Sequence, residues 1–264
     1  MPLFSIIIPT FNSAATLGGC LDSVLGQTCR DVEILIQDGG STDATAAIVQ
    51  AAAGQAPGII RWVTEKDKGI YDAMNRALTR ATGEWVYFLG SDDYLRAEQV
   101  LADVAAVLAD TTADIVYGDA VLVSDGQRHG VAFDLMRLLT TGNLCHQTVF
   151  YRRAVFALIG EYDLRFPIIA DWDFNIRCFR HPAIQTQHYP REIVTFNDVT
   201  GVSSTSRQDA FYAMLPMTYI KERDALALAH QQLLTSQEYR IGRRVYNLLQ
   251  KTGLVALSRR LRGK

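Results

Sequence analysis

The chain has 264 residues, 48% of them hydrophobic and 20% charged, which is enough to bury a substantial core and too apolar for a disordered polymer. A formal net charge of −2 argues against a protein that binds nucleic acid over its whole surface. The charge is uneven: residues 240–264 hold eight Lys or Arg and no acid, leaving 18 basic residues against 28 acidic ones elsewhere,.

Cys20, Cys29, Cys145 and Cys178 show no CxxC spacing, so a reduced, intracellular chain is expected. The amino terminus lacks a basic n-region and its apolar run stops at Pro9, which argues against a signal peptide. No stretch reaches the ~18 apolar residues needed to span a bilayer. A cytoplasmic protein is expected, one that meets a membrane only at the inner face.

The first 95 residues alternate strand and helix patterns. Phe4–Ile8, Val32–Ile36, Ile59–Val63 and Trp85–Leu89 read as strands. Between them lie a helix capped by Asn12 or Ser13, a helix through Ala53 that Gly54 stops, and a helix over Ile70–Ala81,. Repeated βαβ units predict an α/β fold with a mostly parallel sheet. Polar clusters at Pro9–Asn12, Asp38–Ser41, Glu65–Gly69 and Ser91–Asp93 each follow a strand, where such sheets bind ligands.

Beyond a helix near Ala97–Ala109 the pattern is mixed. Ile115–Tyr117 and Ala120–Val123 read as two strands, with a turn at Ser124–Gln127. Thr148–Tyr151 and Ile193–Phe196 are further strands, and Trp172–Phe179 is a helix. From Ser206 onward only helical signals remain. The expected organisation is one domain over 1–205, divided near residue 95, and a helical extension over 206–264.

Gly90-Ser91-Asp92-Asp93 follows the most apolar strand. Adjacent carboxylates on such a loop suit a hard divalent cation that bridges diphosphate oxygens, although the same residues also make turns and helix caps. Asp38 precedes Gly39–Gly40, whose glycines let a ligand approach the backbone; its carboxylate can accept hydrogen bonds from a base or ribose, or close an Asx turn. Neither GxGxxG nor a Walker A motif is present, which disfavours dinucleotide and P-loop chemistry.

Four ordered segments, Ser5-Ile-Ile-Ile-Pro-Thr-Phe-Asn12, Ile36-Gln-Asp-Gly-Gly-Ser-Thr-Asp43, Lys68-Gly-Ile-Tyr-Asp-Ala-Met-Asn75 and Phe88-Leu-Gly-Ser-Asp-Asp-Tyr-Leu95, together resemble glycosyltransferase family 2. Within it they most resemble the branch of colanic-acid and exopolysaccharide transferases. The resemblance spans about residues 3–205. It implies a GT-A fold, a nucleotide-sugar donor, inversion at the anomeric carbon, and Mg²⁺ or Mn²⁺ as cofactor. By position, Pro9, Thr10, Asp38, Asn75 and Asp92 would bind the donor, and Asp92 and Asp93 the metal. The family often carries acids where this chain has Gly39 and Gly90, which leaves open whether Asp92 or Asp93 takes the metal.

Ile169-Ala-Asp-Trp-Asp-Phe174 resembles the segment that opens the acceptor-side helix in that family, with Asp171 matching the catalytic base. A direct displacement needs such a carboxylate beside the acceptor hydroxyl; capping the helix is the simpler role, and Asp173 is its confusable neighbour, read as a further acceptor contact. His146, in Cys145-His-Gln147, is read as an acceptor contact. Lys66, Lys68 and Tyr71 lie where phosphates could be met, and Ser203 and Ser204 where a loop could cover the donor. The acceptor is expected to be a glycan or lipid-linked glycan of the cell surface. Basic residues among leucines in 240–264 suit either an anionic membrane surface or packing on the domain. Two other classes fit less well: a sugar-nucleotide nucleotidyltransferase, which needs a Gly-rich, Arg-containing phosphate loop, and a non-catalytic nucleotide-binding protein.

Overall fold

The computed structural model describes residues 1–199 and 209–235, and the chain divides into two compact units, Met1–Ala213 and Met214–Lys264. The amino-terminal half of the first unit follows the expected alternation. It comprises β1 (Phe4–Thr10), α1 (Leu17–Leu25), β2 (Val32–Asp38), α2 (Thr45–Gln55), β3 (Ile60–Thr64), α3 (Ile70–Leu78) and β4 (Trp85–Phe88). β1 and β4 are buried along their whole length, as the apolar runs Ile6–Ile8 and Trp85–Phe88 lead one to expect of strands covered on both faces.

The second half contributes β5 (Tyr94–Leu95), α4 (Val100–Asp110), β6 (Ile115–Leu122), β7 (Arg128–His129), α5 (Leu135–Thr140) and a 3-10 turn at His146–Thr148. There follow β8 (Val149–Arg152), α6 (Ala154–Ile159), α7 (Ala170–Arg180) and β9 (Thr186–Phe196). α8 spans Ala210–Thr235; from Met214 onward it is the described part of the second unit. The sheet order is β3-β2-β1-β4-β8-β6-β9-β5, with β7 beside β6. All but β5, β7 and β8 run in one direction, so the α/β fold with a mostly parallel sheet and a helical extension is as the sequence predicts.

Chain order reverses between β1 and β4, its neighbour on the side away from β2. The loops leaving these two strands therefore diverge and open a crevice, the usual ligand position in such sheets. One face of the sheet packs Leu17, Leu21, Val24, Leu101 and Val104 of α1 and α4 against Ile6, Ile8, Ile34, Trp85 and Tyr87. The other carries an aromatic cluster: Phe156 stacks on Phe174 at 4.9 Å, and Phe88 meets Tyr162 edge-on at 5.4 Å. That cluster takes in α7 through Phe174.

Several boundaries differ from the sequence reading. α1 starts at Leu17 because Asn12 and Ser13 join two loops instead of capping it. Asn12 Oδ1 accepts from Thr42 N (2.9 Å), and Asn12 adopts φ = 50°; the Ser13 amide donates to Thr45 Oγ1 (2.9 Å). Gly54 lies inside α2, and α3 stops at Leu78. The two strands expected over 115–123 are one strand with an irregularity at Asp119; a Cβ on Gly118 would overlap Ile193 of β9, so glycine there permits close strand contact rather than a break. β9 begins seven residues before the predicted Ile193, because Gln185–His188 lack the apolar alternation that marks a strand.

Candidate active site

A cleft of about 1260 Å³ opens at the carboxyl ends of β1, β3 and β4. Its walls include Pro9, Thr10, Gly39, Lys66 and Asp67 on one side, Ser91, Asp92 and Asn197 centrally, and Tyr71, Asn143, His146 and Asp171 on the other. Residues far apart in the chain are thus brought to one space.

Asp171 lies in the first turn of α7 and is 7% exposed. Its Oδ1 accepts from the Tyr71 hydroxyl (2.6 Å), and its Oδ2 from Asn143 Nδ2 (2.6 Å). Asn143 Oδ1 in turn accepts from Asn175 Nδ2 (2.9 Å), and Asn175 Oδ1 from the Tyr151 hydroxyl (2.8 Å). This buried chain locks the carboxylate's orientation. Burial, and then the Asp171 charge, push the Tyr71 hydroxyl well above its ordinary value, so it remains a donor. The Ile168 carbonyl lies 2.9 Å from the same hydroxyl as an alternative acceptor.

His146 stacks on Phe88 at 5.4 Å, and its Nδ1 is 4.0 Å from Asp171 Oδ2. Neither ring nitrogen has a hydrogen-bond partner. Burial lowers the imidazole against the opposing Asp171 charge, leaving a neutral ring at the cleft wall with unused hydrogen-bonding capacity.

The acids after β4 take different positions. Asp92 lines the cleft, and its Oδ2 accepts from Asn197 Nδ2 (3.2 Å). Asp93 is 1% exposed, and its Oδ1 accepts from the Asn197 amide (2.7 Å). Burial, reinforced by the Asp92 charge, pushes the Asp93 carboxyl up to about 7. A Cβ on Gly90 would collide with Asp93 Oδ2; the space of the acid absent at position 90 is filled by Asp93.

Three other expected residues are placed away from the cavity lining. Asn75 Nδ2 donates to the Tyr162 carbonyl (2.9 Å) and its Oδ1 accepts from the Tyr162 amide (3.1 Å), so it spends both ends on backbone. Asp173 pairs with Arg177 at 2.8 Å one turn along α7. Asp38, at the end of β2, accepts from Ser41 N (3.2 Å), Ser41 Oγ and Thr10 Oγ1 (3.4 Å). Pro9, Thr10 and Lys66 do line the cleft. Ser203, Ser204 and 240–264 lie outside the described residues. Asn143, Asn197 and Asp67 were not singled out from the sequence, since isolated amides and a loop acid carry no spacing signal.

Comparison with known proteins fits this geometry. The model of glycosyl transferase family 2 matches residues 5–160. A PGL/p-HBAD biosynthesis glycosyltransferase of Mycobacterium tuberculosis is 47% identical over 218 residues, covering 82% of this chain and 85% of its own length. Chondroitin synthase of Escherichia coli is 28% identical over 67% of this chain and 26% of its own. Among solved structures, S. aureus TarS 1–349 in complex with UDP-GlcNAc superposes with a TM-score of 0.64 at 23% identity, over 79% of this chain and 62% of that one. The mannosyltransferase PcManGT of Pyrobaculum calidifontis, in complex with GDP-Man and Mn²⁺, gives 0.58 at 20% identity, over 86% and 64%. The chain thus spans about three fifths of these structural relatives, whose likeness concerns the fold. Family match, identity and fold agree: the chain belongs to glycosyltransferase family 2, enzymes that transfer a sugar from a nucleotide-sugar donor.

Proposed function

We propose that the protein is an inverting glycosyltransferase in which Asp171 deprotonates the acceptor hydroxyl while the donor diphosphate is held at Asp92. The observation that carries this reading is a buried carboxylate, fixed at both oxygens, facing the same cleft as Asp92. Held in this way, Asp171 meets the acceptor without reorganising, which is where positioned general bases gain their rate. Once Asp171 takes the proton, Tyr71 can turn its own hydrogen to the Ile168 carbonyl and accept from the carboxylic acid. His146, neutral and unpartnered, is placed to bind a sugar hydroxyl.

Among the described residues no group of three or more His, Cys, Asp or Glu could hold a metal by itself. The fit is nonetheless sound for an ion that arrives with its substrate: Mg²⁺ is commonly bound by one or two carboxylates plus phosphate oxygens, and Asp92 lines the cleft. Asp92 would hold such a cation, with Asp93 behind it as support. Bound there, Mg²⁺ or Mn²⁺ supplies charge neutralisation to the leaving diphosphate. Pro9 and Thr10 line the wall assigned to the nucleotide.

The acceptor is read as a glycan or lipid-linked glycan of the cell surface, in line with the mycobacterial relatives' naming for PGL/p-HBAD biosynthesis and the exopolysaccharide branch that the motifs resemble. Phe133 and Trp172, part-exposed in the cleft lining, offer apolar surface to an aglycone. No helix among the described residues is long and apolar enough to cross a membrane; residues 240–264 are proposed to attach the protein to an anionic inner leaflet. The deciding experiment is transfer assayed with and without EDTA, followed by adding back Mg²⁺ or Mn²⁺. Activity lost on chelation and restored by metal is expected, and full activity in EDTA refutes the metal-dependent mechanism.

A further inference from the structure

The carboxylate facing the cavity on the β1–β2–β3 side is not the one that ends a strand. Asp38 is 1% exposed, and Ser41 and Thr10 occupy its oxygens. Asp67, in the turn between β3 and α3, lines the cleft beside Gly39 and Lys66. Its Oδ1 accepts from the Gly69 amide at 2.9 Å. Its Oδ2 stands where a side chain at position 39 would begin, 2.7 Å from a Cβ built on Gly39. Gly39 therefore makes room for Asp67, and the acid absent from position 39 is replaced in space by one from another loop.

Partial burial, with the charges of Asp72 and Asp38, raises the Asp67 carboxyl. Such a group gains from a ligand that brings hydrogen-bond donors. A carboxylate is acceptor-only and offers two oxygens side by side. Among the nucleobases, guanine alone matches this with adjacent donors, N1–H and the 2-amino group. Uracil offers one N3–H flanked by two carbonyl oxygens, which repel the second carboxylate oxygen. Adenine and cytosine each set a ring acceptor beside their amino donor.

We propose that Asp67 selects the nucleobase of the donor and that the base selected is guanine. The assignment rests on the cleft being a nucleotide-sugar site with the base between the β1 loop and Asp67.

The test is calorimetric titration of the full-length protein and Asp67→Asn with GDP, UDP and inosine diphosphate, each in excess Mg²⁺. Asparagine keeps an acceptor for the Gly69 amide, so the turn is retained, but it turns the other oxygen into a donor. Wild type should bind GDP about ten- to a hundredfold more tightly than UDP, the margin expected of a bidentate base contact. Inosine diphosphate, which keeps N1–H but lacks the 2-amino group, should bind about tenfold more weakly than GDP. In Asp67→Asn both margins should collapse. Equal binding of GDP and UDP by wild type, or a preference for UDP, overturns the guanine assignment and leaves the nucleotide-sugar reading intact. An undiminished GDP margin in the variant overturns the role of Asp67. Binding of none of the three overturns both readings, and the wild-type ratio decides the base whatever the variant does.

Discussion

On the β1–β2–β3 side of the cleft, Asp38 is held chiefly by Ser41, three residues on, with a longer contact from Thr10 of β1, and Asp67 by Gly69, two residues on. On the α7 side, Asp171 is held by Tyr71 and Asn143, at separations of 100 and 28 residues. The first arrangement is made chiefly within single turns, so its closest hydrogen bonds need less of the fold to be in place. The second exists only when α3, α7 and the segment before β8 are all docked, so it is rigid and coupled to the fold. A binding wall can be built in the first way. A base that must not reorganise during the reaction needs the second.

The sharpest way to break this contrast is Asp171→Asn. Turnover should fall by about 10²–10⁴-fold, while GDP or UDP binding, read by calorimetry, stays within about twofold if the residue acts on the acceptor as proposed. Asp173→Asn is the paired control: it removes an i,i+4 contact with Arg177 worth about 0.5 kcal/mol and should leave turnover unchanged. A dead Asp173→Asn variant beside an active Asp171→Asn would transfer the base role to the neighbour.

Asp92 and Asp93 differ within one loop: both accept from Asn197, but only Asp92 lines the cleft. Asp92→Asn removes the cleft-facing carboxylate and should cost at least about 10²-fold in turnover, the scale of losing charge stabilisation on a leaving diphosphate. Higher Mn²⁺ should restore part of it. In Asp93→Asn the acceptor for the Asn197 amide survives and a buried charge is removed, so turnover within about tenfold of wild type is expected, with an unchanged Mn²⁺ midpoint. If Asp93→Asn is the variant whose metal response shifts, the two roles are exchanged.

Tyr71→Phe tests the network rather than the carboxylate. The donor to Asp171 Oδ1 is lost, at a cost of about 1–1.5 kcal/mol, or roughly tenfold in kcat. Added to Asp171→Asn, Tyr71→Phe should cost little further turnover, because its effect runs through that carboxylate,. Fully additive losses would make Tyr71 a packing residue.

The contrast also accounts for what could be read from the sequence. β1, β2 and β4 were legible because their apolar runs are long and their loops carry polar residues in one unbroken stretch, as at Ile36–Asp43 and Phe88–Leu95,. Asp92 and Asp171 were placed by resemblance to contiguous motifs, and both line the cleft. Asn75 belonged to such a motif too, but its amide is used on Tyr162; a motif fixes a residue's place in the chain and not the direction of its side chain. Asn143 and Asn197 are single amides whose meaning depends on partners 28 and 105 residues away, and no local period reports that. Asp67 was hidden between two lysines, where charge suggests a solvated turn.

The smallest expected effect lies at the far end of β2, five residues from Asp38 and about 16 Å along the strand. Glu33 Oε1 accepts from Ser5 Oγ (2.6 Å), Thr82 N (2.6 Å), Thr82 Oγ1 (2.9 Å) and Gly83 N (3.2 Å), and its other oxygen pairs with Arg61. Burial opposes ionisation here, yet the Ser5 and Thr82 hydrogen bonds and the Arg61 charge outweigh it and hold the carboxyl below its ordinary 4.5. Glu33→Gln replaces one acceptor by a donor among donors and should lower unfolding free energy by about 1–3 kcal/mol near neutral pH, with turnover per folded molecule unchanged. A carboxyl depressed in the folded state contributes stability above the unfolded-state value and loses it as pH falls through the folded-state value. The gap between wild type and variant, read from urea unfolding, should therefore be constant above about pH 5 and shrink below 4.5. A gap that persists undiminished to pH 3 would mean that the glutamate acts through shape alone, and an accompanying loss of turnover would mean that this end of the sheet is coupled to the cleft after all.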